Sequence, residues 1–261
     1  MKRTITYIFA ALVLVSCADK AEPQHAVGQI AVELISELPV KSTVELTPEE
    51  AAMYRISVLA ADGAPAVYES PEEKKGQSIP TVFYKDFETV TVDLMQMYQV
   101  TAESCTIEES ESGNGCARFF GNSGLFELNA SNIYQKARII CSQTNALVTV
   151  VFDPSVKNRF TELKVTLNSG QRTLVISESA DEVKTYFTPG QLSYTVSGIY
   201  AETSYNVNIP SASALELDAK ANIRILVRLD LTHGQASMPS LSVTEEYADE
   251  VDEDCPIDPY M

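Results

Sequence analysis

Apolar and polar residues alternate in short runs along most of this chain, and no stretch sustains a helical period. Gly28 opens a first strand in which Ile30, Val32 and Leu34 share one face. Tyr54 to Leu59 alternates in the same way, and Asp62-Gly63 turns it back into Ala66 to Glu69, a hairpin signal. Strands are expected at 82–84, 89–94, 98–103, 119–121 and 125–128. Arg138 to Cys141 and Leu147 to Phe152 are the most continuous β-prone runs. Further strands follow at steady spacing, at 163–167, 173–176, 184–187, 192–200 and 205–209. Asn222 to Leu231 is the longest, with Ile223, Ile225, Val227, Leu229 and Leu231 on one face and Leu226 breaking the polarity of the other. Leu241 to Thr244 closes the series.

The interruptions are short. Thr47-Pro48-Glu49-Glu50 starts a helix, with Thr47 as N-cap and Pro48 at the first position. Pro71 to Pro80 is a polar loop, and Ser110 to Gly115 an exposed turn. Asn129-Ala130-Ser131 matches a glycosylation sequon but reads as an ordinary turn. Asp153-Pro154 caps a helical turn reaching about Phe160. Many short strands with turns between them predict an all-β sandwich architecture.

The two ends differ from the body. Lys2 and Arg3 precede an apolar run from Ile5 to Val15, the anatomy of an export signal and too short to span a bilayer. It ends Leu14-Val15-Ser16-Cys17, which resembles the bacterial lipobox. That resemblance implies cleavage before Cys17 and lipid on its thiol and new amino group. Residues 1–16 are then the signal, 17–27 a flexible tether and 246–261 a solvated acidic tail, and the body between them is long enough for two compact sandwich domains or one large one. The tail lacks the glycine and regular spacing of a calcium loop, and no metal or cofactor is expected.

Charge and cysteines narrow the function. The formal charge is −17, or −19 once Lys2 and Arg3 leave with the signal. So acidic a chain repels nucleic acid phosphates, so no nucleic-acid partner is expected. Of five cysteines, four remain beside Cys17: Cys105, Cys116, Cys141 and Cys255. They permit two disulfides in three connectivities. Cys105 and Cys116 are the best-placed pair, closing a Gly/Ser/Glu-rich loop, and a bridge there would contribute roughly 3 kcal/mol. An anaerobic habitat could instead leave both reduced, so the bridge stays open at this point.

Catalysis finds little support. The only histidines, His25 and His233, sit in the tether and in a turn, where neither is fixed as a general base. No nucleophile elbow, zinc-protease or phosphate-loop motif occurs, so the chain is expected not to be an enzyme. Tyr194, Tyr200 and Tyr205 are the nearest candidates for a sugar-stacking platform, although their strand positions suit core packing.

The order G-Q-I-A-V-E-L (28–34), Y-R-I-S-V-L (54–59), V-T-V-D-L (90–94), Y-Q-V-T-A-E-S (98–104), A-R-F-F-G (117–121), L-F-E-L (125–128), C-S-Q-T-N-A-L-V-T-V-V-F (141–152) and T-Y-F (185–187) resembles the DUF4493 family of Bacteroidota lipoproteins. That family is similar to fimbrillin-like surface adhesins. The resemblance covers about residues 27 to 245. It implies two tandem transthyretin-like β-sandwiches, at 28–132 and 133–245, a lipid anchor in the outer membrane with the body at the cell surface, and a structural or adhesive role. The role could be that of a fimbrial anchor or accessory subunit, with other fimbrial proteins as partners; a glycan-binding lipoprotein for nutrient capture is the alternative. One departure stands out. Where the family tends to have Pro-Gly before Tyr98, this chain has Met95-Gln96-Met97, so the turn there needs a different geometry.

Overall fold

The computed structural model describes residues 26–37, 43–44, 49, 52–156, 159–179, 181–201, 205–230 and 240–247. The signal, Cys17, nearly all of the tether with His25, Thr47-Pro48, His233, Cys255 and the acidic tail from residue 248 lie outside them. The all-β expectation holds: among the described residues eighteen strands are joined mainly by turns, with only short helical pieces between them.

In the N-terminal half, β1 (Val27–Glu37), β2 (Thr43–Val44), β3 (Arg55–Ala60), β4 (Val82–Phe83), β5 (Val90–Asp93), β6 (Gln96–Glu103), β7 (Phe119–Asn122), β8 (Phe126–Leu128) and β9 (Tyr134–Gln143) form one nine-stranded sheet. Its path runs β2-β1-β9-β7-β6-β3-β4, with β5 paired to β1 and β8 to β6. Ile30, Val32 and Leu34 point inward as their alternation requires, and meet Ile56, Val58, Val92, Val100, Leu128 and Ile139 in one cluster. The Asp62-Gly63 turn is present, closed by Gly63 N–H donating to the Ala60 carbonyl at 2.9 Å. The returning segment is no strand; Pro65, Val67 and Ser70 make isolated bridges only.

In the C-terminal half, β10 (Ala146–Phe152), β13 (Glu182–Phe187), β17 (Asn222–Asp230) and β18 (Ser240–Tyr247) make a sheet ordered β13-β10-β17-β18. The opposing sheet contains β11 (Phe160–Asn168), β12 (Thr173–Ser177), β14 (Gly190–Tyr200), β15 (Tyr205–Pro210) and β16 (Leu215–Leu217). Side chains from both sheets, among them Val148, Val150, Phe152, Val165, Leu167, Val196 and Ile225, share the second cluster. The run at 147–152 is continuous because β10 is central and buried on both faces. Each fully buried aliphatic contributes about 1.5–3 kcal/mol.

The boundary expected at residues 132 and 133 falls elsewhere. β9 runs parallel to β1 from Gln29↔Tyr134 to Ser36↔Cys141, and pairs with β7. Ala137, Ile139 and Cys141 therefore belong to the N-terminal cluster, and the clusters divide at Thr144-Asn145. The alternation of β9 buries one face in either assignment, and its long-range partner β1 is invisible locally. After Asp153-Pro154 the chain makes a turn, with Ser155 N–H donating to Asp153 Oδ1 at 2.9 Å. The sequon is a turn too: Asn129 Oδ1 accepts from the backbone of Ser131 and Asn132. Met95 takes φ 64°, in the left-handed region that favours glycine, so the turn does have an unusual geometry.

Gly121 sits where β7 approaches β9 closely. A Cβ there would lie 2.2 Å from the Ile140 carbonyl oxygen, and both sides are main chain. Gly121→Ala is expected to lower unfolding stability by roughly 1–3 kcal/mol through forced strand separation. A denaturant midpoint equal to that of the wild type would contradict this packing.

Candidate functional site

The most elaborate polar construction outside the cores is the segment between β6 and β7. It opens on Thr106, whose Oγ1 accepts from Glu109 N–H at 3.1 Å while Glu109 Oε2 accepts from Thr106 N–H at 2.8 Å. This capping box starts a single turn of helix, α1 (Ile107–Ser110). The Glu109 carboxylate also receives a two-pronged bond from Arg55 on β3, at 2.5 and 2.7 Å. That bond, and then the Thr106 backbone bond, bring the Glu109 carboxyl down to about 2, and Glu109 in turn raises the Arg55 guanidinium. Gly113 and Gly115 turn the chain at φ 60° and 77°. Only glycine fits at 115, since a Cβ would meet the Ser110 carbonyl oxygen at 2.2 Å.

This segment, expected to be an exposed turn, rests on the C-terminal half. Arg172 donates to the Gly113 carbonyl and, at 2.7 Å, to that of Tyr186. Tyr186 N–H donates to the Asn114 carbonyl at 3.0 Å, and Thr188 N–H to Glu111 Oε1 at 3.1 Å. The Arg172 guanidinium lies 4.9 Å from the Phe187 ring centre, and desolvation lowers its pKa against the opposing pull of Glu111. Behind the segment, buried Asn145 accepts from Arg118 N–H at 3.0 Å and donates to the Cys116 carbonyl at 2.8 Å. Its own carbonyl accepts from Gln143 Nε2 and Lys220 N–H. Arg118 adds bonds to Glu103, Thr144 and the Cys105 carbonyl. The result is a brace between the halves.

Cys105 and Cys116 stand at its two ends with their Sγ atoms 3.4 Å apart, both as free thiols. Cys141 lies in the N-terminal core, where burial pushes its thiol up to about 12. Tyr194 and Tyr200 form no platform, because both are buried. Tyr194 donates to Glu245 Oε1 at 2.8 Å, and Tyr200 packs edge-on against Phe160. The Tyr205 side chain lies outside the described residues. Among the described residues, no group of three or more His, Cys, Asp or Glu is placed to hold a metal ion, and no helix is long and apolar enough to cross a membrane. A shallow cavity of about 120 Å³ lies beside Glu69, Asp93 and Tyr98. Burial pushes the Tyr98 phenol up to about 12, with its O–H donating to the Asp93 carbonyl.

Residues 43–254 match the model of a domain of unknown function, DUF4493. The chain belongs to the DUF4493 family. Among solved structures, this DUF4493 protein is similar to the fimbrial anchor protein Mfa2 from Porphyromonas gingivalis. The two are 10% identical over 85% of this chain and 98% of that one, with a TM-score of 0.47. A fimbrial assembly protein from Parabacteroides distasonis ATCC 8503 is 11% identical over 85% and 96% of the two chains, with a TM-score of 0.46. No curated protein matches the sequence.

Within the DUF4493 chain, Asn145, Arg172, Glu111 and Thr188 are the brace positions that the sequence did not single out. Thr106-x-x-Glu109 was a readable capping box; the others carry no local signal, because their partners come from the opposite half. The Glu109 pKa gives the brace a signed pH dependence. A folded value near 2 against 4.5 for the free carboxyl means the bonds stabilise fully above about 4.5 and are lost as pH falls through about 2. Glu109→Gln is therefore expected to destabilise the chain by a constant amount above about pH 5, with the gap to wild type closing toward about pH 2. Paired thermal melts across this range measure it; a gap that stays constant to about pH 2 would remove Glu109 from the brace.

Proposed function

We propose that this chain is an exported lipoprotein, lipidated at Cys17 in the outer membrane, with a structural or adhesive role at the cell surface as a fimbrial anchor or accessory subunit. Its halves are read as two tandem transthyretin-like sandwiches. The observation that carries the reading is the polarity of β1 and β9. These strands are parallel and in register, so Val27 and Tyr134 start from the same end of the N-terminal sheet. β9 spans ten residues, about 33 Å at strand rise, before the chain enters β10. A tether attached ahead of Val27 thus leaves from the pole opposite the junction, and the C-terminal half projects away from the anchor.

Two features fit that orientation. Val27, Met95, Met97, Ile133 and Tyr134 are all exposed, and all lie at the tether pole. Cys17 precedes Val27 by ten residues, a span of roughly 33 Å at full extension, so the pole would stay near the bilayer. Three acyl chains would hold it stably, at about 0.8 kcal/mol per buried CH₂. Strand addition at an exposed sheet edge is the mode by which such a body would join a fimbrial partner.

Cys17→Ala is expected to release the protein from the membrane fraction without unfolding it, and to abolish uptake of a labelled fatty acid. Protease applied to intact cells is expected to cut the wild type at the surface. A variant that stays membrane-bound, together with an unlabelled wild type, would sink the anchor. Protection of the whole chain in intact cells, or unaltered filaments and adhesion after gene deletion, would sink the surface role.

A further inference from the structure

Cys105 and Cys116 bracket the segment that docks on Arg172, Tyr186 and Thr188 of the C-terminal half. Their Sγ atoms are 3.4 Å apart, within a small side-chain adjustment of the roughly 2.05 Å of a disulfide. The stretch between them holds α1, a helix of four residues that cannot hold itself together by its own hydrogen bonds. It also holds the acceptors used by the other half: the carboxylate of Glu111 and the carbonyls of Gly113 and Asn114. Cys116 is joined to the junction as well, since its carbonyl accepts from Asn145 Nδ2.

We propose that Cys105 and Cys116 are an oxidation site whose disulfide latches the docking segment and so sets how firmly the two halves are held together. The bond forms by thiol–disulfide exchange with a disulfide-bearing oxidant. Cys116 is exposed and reacts first, its thiolate attacking the oxidant to give a mixed disulfide and release one oxidant thiolate. Cys105 then attacks the Cys116 sulfur and releases the second. The two S–H protons pass through solvent to the two released thiolates, one S–S bond forms, and two electrons reduce the oxidant's disulfide to two thiols. The order follows from exposure: Cys105 is half-buried, and burial beside Cys116 pushes its thiol up to about 12. Cys141 does not compete, being sealed in the N-terminal core.

The latch works through geometry. In the reduced chain the segment is held by the capping box, the Arg55–Glu109 pair and the Cys116–Asn145 bond. Closing the base of the loop removes its alternative conformations, so the contacts to Arg172, Tyr186 and Thr188 form from a preorganised surface. On the proposed function, export would place both thiols where disulfides form and persist. The chemistry itself is tested on purified chain, so a failed lipid anchor would leave this inference standing.

The test uses the full chain, treated with oxidised glutathione or with a phosphine reductant, then alkylated, digested and weighed. The expected oxidised product contains a Cys105–Cys116 linked peptide, with both residues alkylated after reduction. Hydrogen exchange at the Tyr186 and Thr188 amides is expected to slow about tenfold in the oxidised chain. Cys116→Ser should exchange at the reduced rate whether or not oxidant is added. Absence of the link, pairing of either residue with another cysteine, or equal exchange in the oxidised and reduced wild type would each overturn the proposal. The wild-type comparison stands even if the variant does not fold.

Discussion

The side chain of Asn145 is a polar group placed where burial forbids leaving it unpaired. Only Thr144 and Asn145 separate β9 from β10, and each of those strands lies inside its own sheet rather than at an edge. A two-residue link between two central strands leaves no slack for solvent to enter. The amide must therefore find its partners in protein, and it draws in Arg118 and Cys116, while the Asn145 main-chain carbonyl draws in Gln143 and Lys220. An unsatisfied buried amide costs about 1–3 kcal/mol, so this network sets the relation of the halves more firmly than any surface ion pair. The position of the 105–116 segment follows from it, because the Cys116 carbonyl is one of the required acceptors.

The two halves repeat one pairing scheme around that link. In the first, β1 has antiparallel β5 on one side and parallel β9 on the other. In the second, β10 has antiparallel β13 on one side and parallel β17 on the other. In both, a strand that opens the half pairs with one near its end, which gives each half a direction. Parallel neighbours start at the same pole, so entry and exit lie at opposite ends of the N-terminal sheet. Such distant pairings also carry a loop-closure cost, which favours folding each half as a unit.

What was legible in the sequence was whatever depends on near neighbours. The alternation of β1, β3, β6 and β17 gave both strand and inward face, because the period of two is local. The odd Met95-Gln96-Met97 turn announced itself through a missing glycine, and Met95 adopts the positive φ. The assignment of β9 failed because its burial pattern fits either half and only β1, a hundred residues upstream, decides. Leu226 looked like a flaw in an amphipathic strand, yet it is buried because β17 is covered on both faces there. The brace was least legible of all. Glu111, Arg172 and Thr188 are ordinary surface residue types, and nothing nearby marks the contacts they make at sequence separations of 59 and 77.

The character of those contacts explains why the brace needs a prefolded loop. The C-terminal half binds main-chain carbonyls and one carboxylate through Arg172, Tyr186 and Thr188, and the Phe187 ring adds an apolar surface at Arg172. Hydrogen bonds exchanged against water return about 0.5–1.5 kcal/mol each, less than the conformational entropy of ordering a flexible segment of this length. Contacts of that strength hold the halves together only if the ordering cost is met within the N-terminal half. The capping box, the Arg55–Glu109 pair and the Asn145 bond all act there, before the other half is engaged. Docking is thus controlled from the base of the loop, where the chain leaves β6 and returns to β7, rather than from the tip that makes the contact.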